Sequence, residues 1–160
     1  MKFEGTFTVK ATKETVWKFL MDPNAIARCL PDLQEMQVID EDRFNATIKA
    51  GVGFIKGIFK FQFSIADRNP PIHAKLIGHG TGTGSVIDME TVFDLQEENG
   101  GTSMKWVADA KVGGMIAGVG SRLMESASAK TIKDLFDSIR KDSFSAVVGA
   151  PLHFPWISLR

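Results

Sequence analysis

The stretch Ala108-Asp-Ala-Lys-Val-Gly-Gly114, followed without a break by Met115-Ile-Ala-Gly-Val-Gly-Ser-Arg-Leu123, decides how this chain folds. Up to Val112 apolar and polar positions alternate, the period of a strand with one buried face. Beyond Gly114 the spacing becomes that of one helix running to about Lys141. Several strands precede this junction, and no further regular element is expected after it. A sheet closed off by a single long terminal helix forms a grip around an internal space. The residues that the helix turns toward the sheet then bear on function. Its first half presents Gly118, Gly120, Ser126, Ala127, Ser128 and Ala129; its second half presents Ile132, Leu135, Phe136 and Ile139. Small residues over a sheet leave volume and large ones fill it. The gradient predicts a pocket, with its entrance between Gly114 and Leu123 and closed core from Ile132 to Ile139.

Upstream, Lys2 to Lys10 alternates Phe3, Gly5, Phe7 and Val9 with polar residues, a half-buried strand. Thr12 reads as the N-cap of a short helix with Val16, Phe19 and Leu20 at helical spacing. Asp22-Pro23 starts a second one, with proline at its first position. Six strands follow: Leu33 to Ile39, Phe44 to Val52, Ile58 to Ile65, Ile72 to Gly80, Ser85 to Leu95 and Thr102 to Val112. The turn Glu98-Asn-Gly-Gly101 joins the last two. Helices gathered on one side of an antiparallel meander make an α+β fold. The terminal helix, about 28 residues, would reach roughly 40 Å, enough to cross the concave face.

Composition narrows the classes of function. At 160 residues the chain fits one domain, large enough to bury roughly 70% of its extended surface. Lys+Arg and Asp+Glu both number 19, and a balanced charge argues against nucleic acid, whose phosphates demand basic excess. Cys29 is alone, so no internal disulfide can form and a reducing cytosol is the natural compartment. The first residues alternate as a strand does and do not read as a signal peptide. No apolar run approaches the roughly 20 residues needed to span a bilayer. The expectation is one domain over 1–142 and an apolar tail over 143–160, in a soluble intracellular protein.

The order of elements, with the residues that mark it, resembles the helix-grip fold of the START-like (SRPBCC) superfamily. Within it the chain is similar to the CoxG family, the accessory subunits of carbon monoxide dehydrogenase. The likeness rests on Met1-Lys-Phe-Glu-Gly5, Val16-Trp-Lys-Phe-Leu-Met-Asp-Pro23 and Arg28-Cys-Leu-Pro31. It continues in Gly51-Val-Gly53, Ile55-Lys-Gly57, Ala108-Asp-Ala, Val112-Gly-Gly114 and Gly120-Ser-Arg-Leu123. Each block alone is weak, and all of them in order are specific. The chain departs from the family pattern at Asp32, where glycine is usual, and at Phe54, where proline is frequent. Phe54 could reshape a cavity rim. The resemblance implies an accessory protein of molybdenum-containing aerobic dehydrogenases, associated with membrane recruitment of the enzyme and with a hydrophobic ligand such as a quinone or lipid.

The residues themselves offer few catalytic candidates. His73 and His79 share a parity opposite Ala74, Leu76 and Gly78, so they face solvent, too far apart on one strand to hold a metal. Cys29 has no neighbouring base in sequence and reads as a packed thiol. Gly78-His-Gly-Thr-Gly-Thr-Gly84 lacks the Gly-Lys-Ser/Thr ending of a phosphate loop and reads as a flexible strand pair or a bulge. Asp88, Glu90 and Asp109 fall on the outer face.

The stripe Phe59, Phe61, Phe63 with Met89, Phe93, Met104 and Trp106 has two readings: ordinary core under a helix, or the wall of a ligand cavity. The second is the expectation. Phe59, Phe61, Phe63, Met89, Phe93 and Trp106 would form the wall and Ile116, Val119, Gly120 and Leu123 the lid, with a bound quinone or lipid and neither metal nor covalent cofactor. Gly120→Leu is expected to block it with the fold intact. The alternatives are a polyketide cyclase- or hydrolase-like enzyme of the same fold, and a filled-core adaptor acting through its surface. Residues 145–160, which include Phe154-Pro-Trp156, read either as a disordered end, the default for a terminus, or as an apolar segment suited to contact with the domain, a partner, or the lipid interface at the inner face of the cell membrane.

Overall fold

The computed structural model describes residues 1–142. Strand β1 (Lys2–Val9) is followed by α1 (Lys13–Leu20) and α2 (Pro23–Ala27). Six strands come next: β2 (Leu33–Val38), β3 (Arg43–Val52), β4 (Ile55–Asn69), β5 (His73–Gly82), β6 (Ser85–Glu98) and β7 (Gly101–Gly114). A 3-10 turn over Met115–Val119 then leads into α3 (Ser121–Asp142). The expected Thr12 cap is present, and Asp22 caps the second helix. Thr12 Oγ1 accepts from Thr15 N and the Asp22 carboxylate accepts from Asn24 N.

The seven strands form one antiparallel sheet in the order β1-β7-β6-β5-β4-β3-β2. Only β1 leaves chain order, and it does so by pairing with β7, which brings the start of the chain beside the strand that feeds α3. Met1 fixes this edge by donating from its ammonium to Ala110 O at 2.6 Å. Tight turns with left-handed residues set the register: Thr83 and Gly84 (φ 53° and 70°) between β5 and β6, and Asn99 and Gly100 (φ 49° and 79°) between β6 and β7.

One helical expectation is corrected. The terminal helix does not begin at Met115. Gly120 adopts φ 97° and ψ 146°, outside any helical region, and separates the 3-10 turn from α3. Gly118 and Gly120 are therefore not helix-interior residues, and the helical penalty of glycine does not apply to them. At 22 residues, α3 spans roughly 33 Å. Ser85 anchors the turn that replaces the expected first helical turns: its buried Oγ accepts from Ile116 N at 2.9 Å.

The Gly78–Gly84 run is not a bulge but part of a strand pair with its turn. Through Gly82 it is the regular end of β5, in unbroken register with β4 through Thr81 and with β6 through Gly82, and Thr83 and Gly84 make the turn into β6. Its glycines are required by what lies over them. A Cβ at Gly80 would fall 2.4 Å from the Phe61 ring, one at Gly78 2.8 Å from both Phe63 and Met89, and one at Gly82 within 2.2 Å of Ile58 O.

Candidate functional site

Following the register across the sheet gives the concave face row by row. One row reads Phe3, Ala108, Thr91, Leu76 and Ile65; the next Ala110, Met89, Gly78, Phe63 and Phe44; the next Val112, Ile87, Gly80, Phe61 and Ala46. No position in these rows is ionisable. Flanking them on one side is the row Gly5, Trp106, Phe93 and Ala74.

The apolar interior on this face divides in two. The first cluster gathers Phe3, Phe7, Phe93, Leu95, Met104 and Trp106 with Val16 from α1, Cys29 from the turn after α2, and Phe136 and Ile139 from α3. Phe136 stacks on Phe7 with centroids 4.9 Å apart and tilts against Trp106 at 5.5 Å. The second cluster gathers Ile55, Phe59, Ile116 and Met124 at the other end. Thr91, Leu76, Ala110 and Met89, which belong to neither cluster, remain only half-buried, and Ala108 packs against the first. On α3, Ala127 and Ser128 are also half-buried and lie in sequence between Met124 of the second cluster and Phe136 of the first.

The aromatic side chains over this middle ground lie low. Phe61 and Phe63 stack on each other at 5.4 Å with their planes 9° apart, and Phe63 stacks on Phe44 at 5.0 Å. The glycines of β5 provide the seats for these rings. A large ring laid across a neighbouring glycine occupies the sheet surface instead of standing up toward the helix. Trp106 uses Gly5 of β1 in the same way, with Cζ2 2.9 Å from where a Cβ would be.

The residues expected to form the site are thus distributed as follows. Phe63 and Met89 lie half-buried in the middle rows, and Phe61, also half-buried, packs against the second cluster. Phe93 and Trp106 are packed in the first cluster, and Phe59 and Ile116 in the second. Val119 leans on the second cluster, while Gly120 and Leu123 are exposed. Gly120 is also unsuited to the blocking substitution, because any side chain there is strained at φ 97° whatever space surrounds it. Sequence reading passes over Thr91, Leu76, Ala108 and Ala110, although continuing the parity of Met89 and Trp106 along β6 and β7, and carrying it to β5, reaches them.

Two polar details complete the site. Trp106 Nε1 is buried without a hydrogen-bond partner among the described residues, a donor whose desolvation is uncompensated. A cleft of about 230 Å³ also exists, but over β2–β4 on the side of Glu35, Gln37, Asn45, Thr47, Lys60 and Gln62, with Met36, Ala46 and Phe61 beneath. Its polar, open rim does not suit an apolar ligand. On the same outer face His73 meets Asp94 at 2.7 Å and His79 meets Asp88 at 2.6 Å, cross-strand pairs open to solvent. Among the described residues no three His, Cys, Asp or Glu converge on a metal position, and no helix is long and apolar enough to cross a membrane. The tail expected to meet a surface, 145–160, lies outside the described residues.

A curved antiparallel sheet gripping one long helix is the START-like architecture, and solved structures share it. A conserved protein from Geobacillus kaustophilus matches with TM-score 0.83 and 29% identity, covering 93% of this chain and 99% of that one. A START superfamily protein from Mycobacterium smegmatis matches with TM-score 0.64 at 11% identity over 86% and 93% of the two chains. Ara h 8.0201 matches with TM-score 0.64 at 13% identity over 87% and 94%; at such identities the likeness is one of fold. The family model of CoxG, a carbon monoxide dehydrogenase subunit, matches residues 5–143. The chain belongs to the CoxG family. No curated protein sequence matches it.

Proposed function

We propose that this protein is a non-enzymatic carrier of a hydrophobic molecule, a quinone or a lipid, serving a molybdenum-containing dehydrogenase of the carbon monoxide dehydrogenase type at the membrane. The observation that carries this reading is the division of the concave core. Two packed clusters share this face, and Thr91, Leu76, Ala110 and Met89, which belong to neither, are only half-buried. An apolar ligand lying there would complete the core. Each CH₂ it buries contributes roughly 0.8 kcal/mol, so a short isoprenoid or acyl chain suffices for micromolar affinity. Membership of a family named for a dehydrogenase component supports the choice of partner. The concave rows offer no acid or base, which weighs against a cyclase- or hydrolase-like activity.

Titration with a short-chain benzoquinone in vesicle-free buffer, followed by quenching of tryptophan fluorescence, tests the reading. Saturable quenching at micromolar concentration is expected, and Ala110→Phe, which fills the middle of the concave face, should weaken it at least about tenfold. Quenching that is linear with concentration, or identical in the filled variant, would remove the ligand from this site.

A further inference from the structure

Of the side chains in the three concave rows, Thr91 alone carries a hydrogen-bonding oxygen or nitrogen. It stands between Ala108 of β7 and Leu76 of β5, with Met89 and Phe93 two residues away on its own strand. Thr91 is half-buried and belongs to neither packed cluster. A threonine suits a strand because it is β-branched, and one that faces inward ordinarily settles its hydroxyl on a nearby polar group. Two other hydroxyls of the same parity on β6 and β7 do so. Ser85 Oγ accepts from Ile116 N at 2.9 Å, and Thr102 Oγ1 donates to Ala11 O at 2.6 Å. Both of those side chains are buried. The Thr91 hydroxyl has no hydrogen-bond partner among the described residues.

An unpaired hydroxyl in an apolar row is harmless while water reaches it and costly once an apolar molecule covers it. A ligand that fills the concave face covers Thr91, and only an oxygen placed there avoids the loss. The neighbouring rows decide which end of the ligand supplies it. On one side Trp106, Phe93 and Ala74 are buried, so nothing continues that way. On the other side Ala110 and Met89, then Val112 and Ile87, remain half-buried, and the last two pack against the second cluster.

We infer that Thr91 seats the oxygen-bearing head of the ligand, with the apolar tail running past Met89 and Ile87 toward the Ile116 cluster. The inference rests on the carrier reading and adds to it a residue, an orientation and a rule of selection. The hydroxyl donates to a carbonyl oxygen, whether of a quinone ring or of an acyl group, and a plain hydrocarbon is disfavoured.

The test compares ligands that differ in oxygen, by calorimetric titration of the full chain. A benzoquinone with two isoprene units is set against the same chain on an oxygen-free benzene ring, and an acyl methyl ester against an alkane of equal length. The unaltered protein should prefer the oxygenated member of at least one pair by about tenfold or more. Preference in the quinone pair alone identifies a ring head, and preference in the ester pair alone an acyl head. Thr91→Val should remove most of the preference by weakening the oxygenated ligand and strengthening the hydrocarbon, while Thr91→Ser should keep it. The carbonyl stretch of the bound ligand should lie at lower frequency in the unaltered chain and in Thr91→Ser than in Thr91→Val, a signature that altered packing alone does not produce. Ile87→Phe, roughly 13 Å along β6 from Thr91, should weaken the tailed quinone and leave tetramethylbenzoquinone unaffected. An unchanged preference in Thr91→Val, or equal weakening of both quinones by Ile87→Phe, would overturn the inference while the carrier reading stands. Absence of saturable binding for every ligand would overturn both.

Discussion

Gly80 stands where a ring lies: Phe61 from the neighbouring strand covers it at a distance that no Cβ can share. Gly80→Val would force the ring upward into the space beneath α3. Overpacking of this kind typically destabilises by about 1–3 kcal/mol. Chemical denaturation should register a loss in that range, together with weaker ligand uptake. Ser85 acts at the same scale. Its hydroxyl is the acceptor that pins Ile116 N to the first turn of the crossing segment. Ser85→Ala leaves that buried N–H unsatisfied, so a loss of about 1–3 kcal/mol is expected, with faster amide exchange at Ile116 as the local signature. Neither role can be read from the sequence. The alternation places Phe61 on the concave face, but the residue opposite it, and hence the reason for glycine in β5, emerges only from the cross-strand register.

At the scale of elements, alternation and turn residues are enough to locate all seven strands and both short helices. Their ends differ by a few residues; β4, for instance, runs on to Asn69 past an irregularity between Ala66 and Asn69. The start of α3 escapes the sequence for a physical reason. Ile116, Val119 and Leu123 keep the three- and four-residue spacing that a 3-10 turn and an α-helix have in common, and sequence does not reveal the φ of Gly120. This gives a paired prediction. Nothing lies within 4 Å of a Cβ at either Gly118 or Gly120, but only Gly120 has positive φ. Gly120→Ala should therefore destabilise by about 1–3 kcal/mol, while Gly118→Ala should be neutral or stabilise by up to about 1 kcal/mol. Thermal melts of the two variants distinguish backbone strain from crowding at this junction.

At the scale of the whole molecule, the change along α3 from Ala127, Ser128 and Ala129 to Ile132, Leu135 and Phe136 is legible in the sequence. The division of the concave core into two clusters is not, because it depends on which strand each ring leans across. The sequence suggests that Trp106 and Phe93 line one wall together with Phe59. The fold instead packs Trp106 and Phe93 around Phe136 and places Phe59 with Ile116, leaving Thr91, Leu76 and Ala110 in neither cluster. The central claim is that this middle ground holds a hydrophobic ligand. Native mass spectrometry of the unaltered protein and of Ser128→Phe, both purified without detergent, tests it most directly. A bound species with the mass of a quinone or lipid should accompany the unaltered chain and be lost from the variant, whose added ring occupies the space under α3. A bare protein mass in both, or the same adduct retained in Ser128→Phe, would contradict the account.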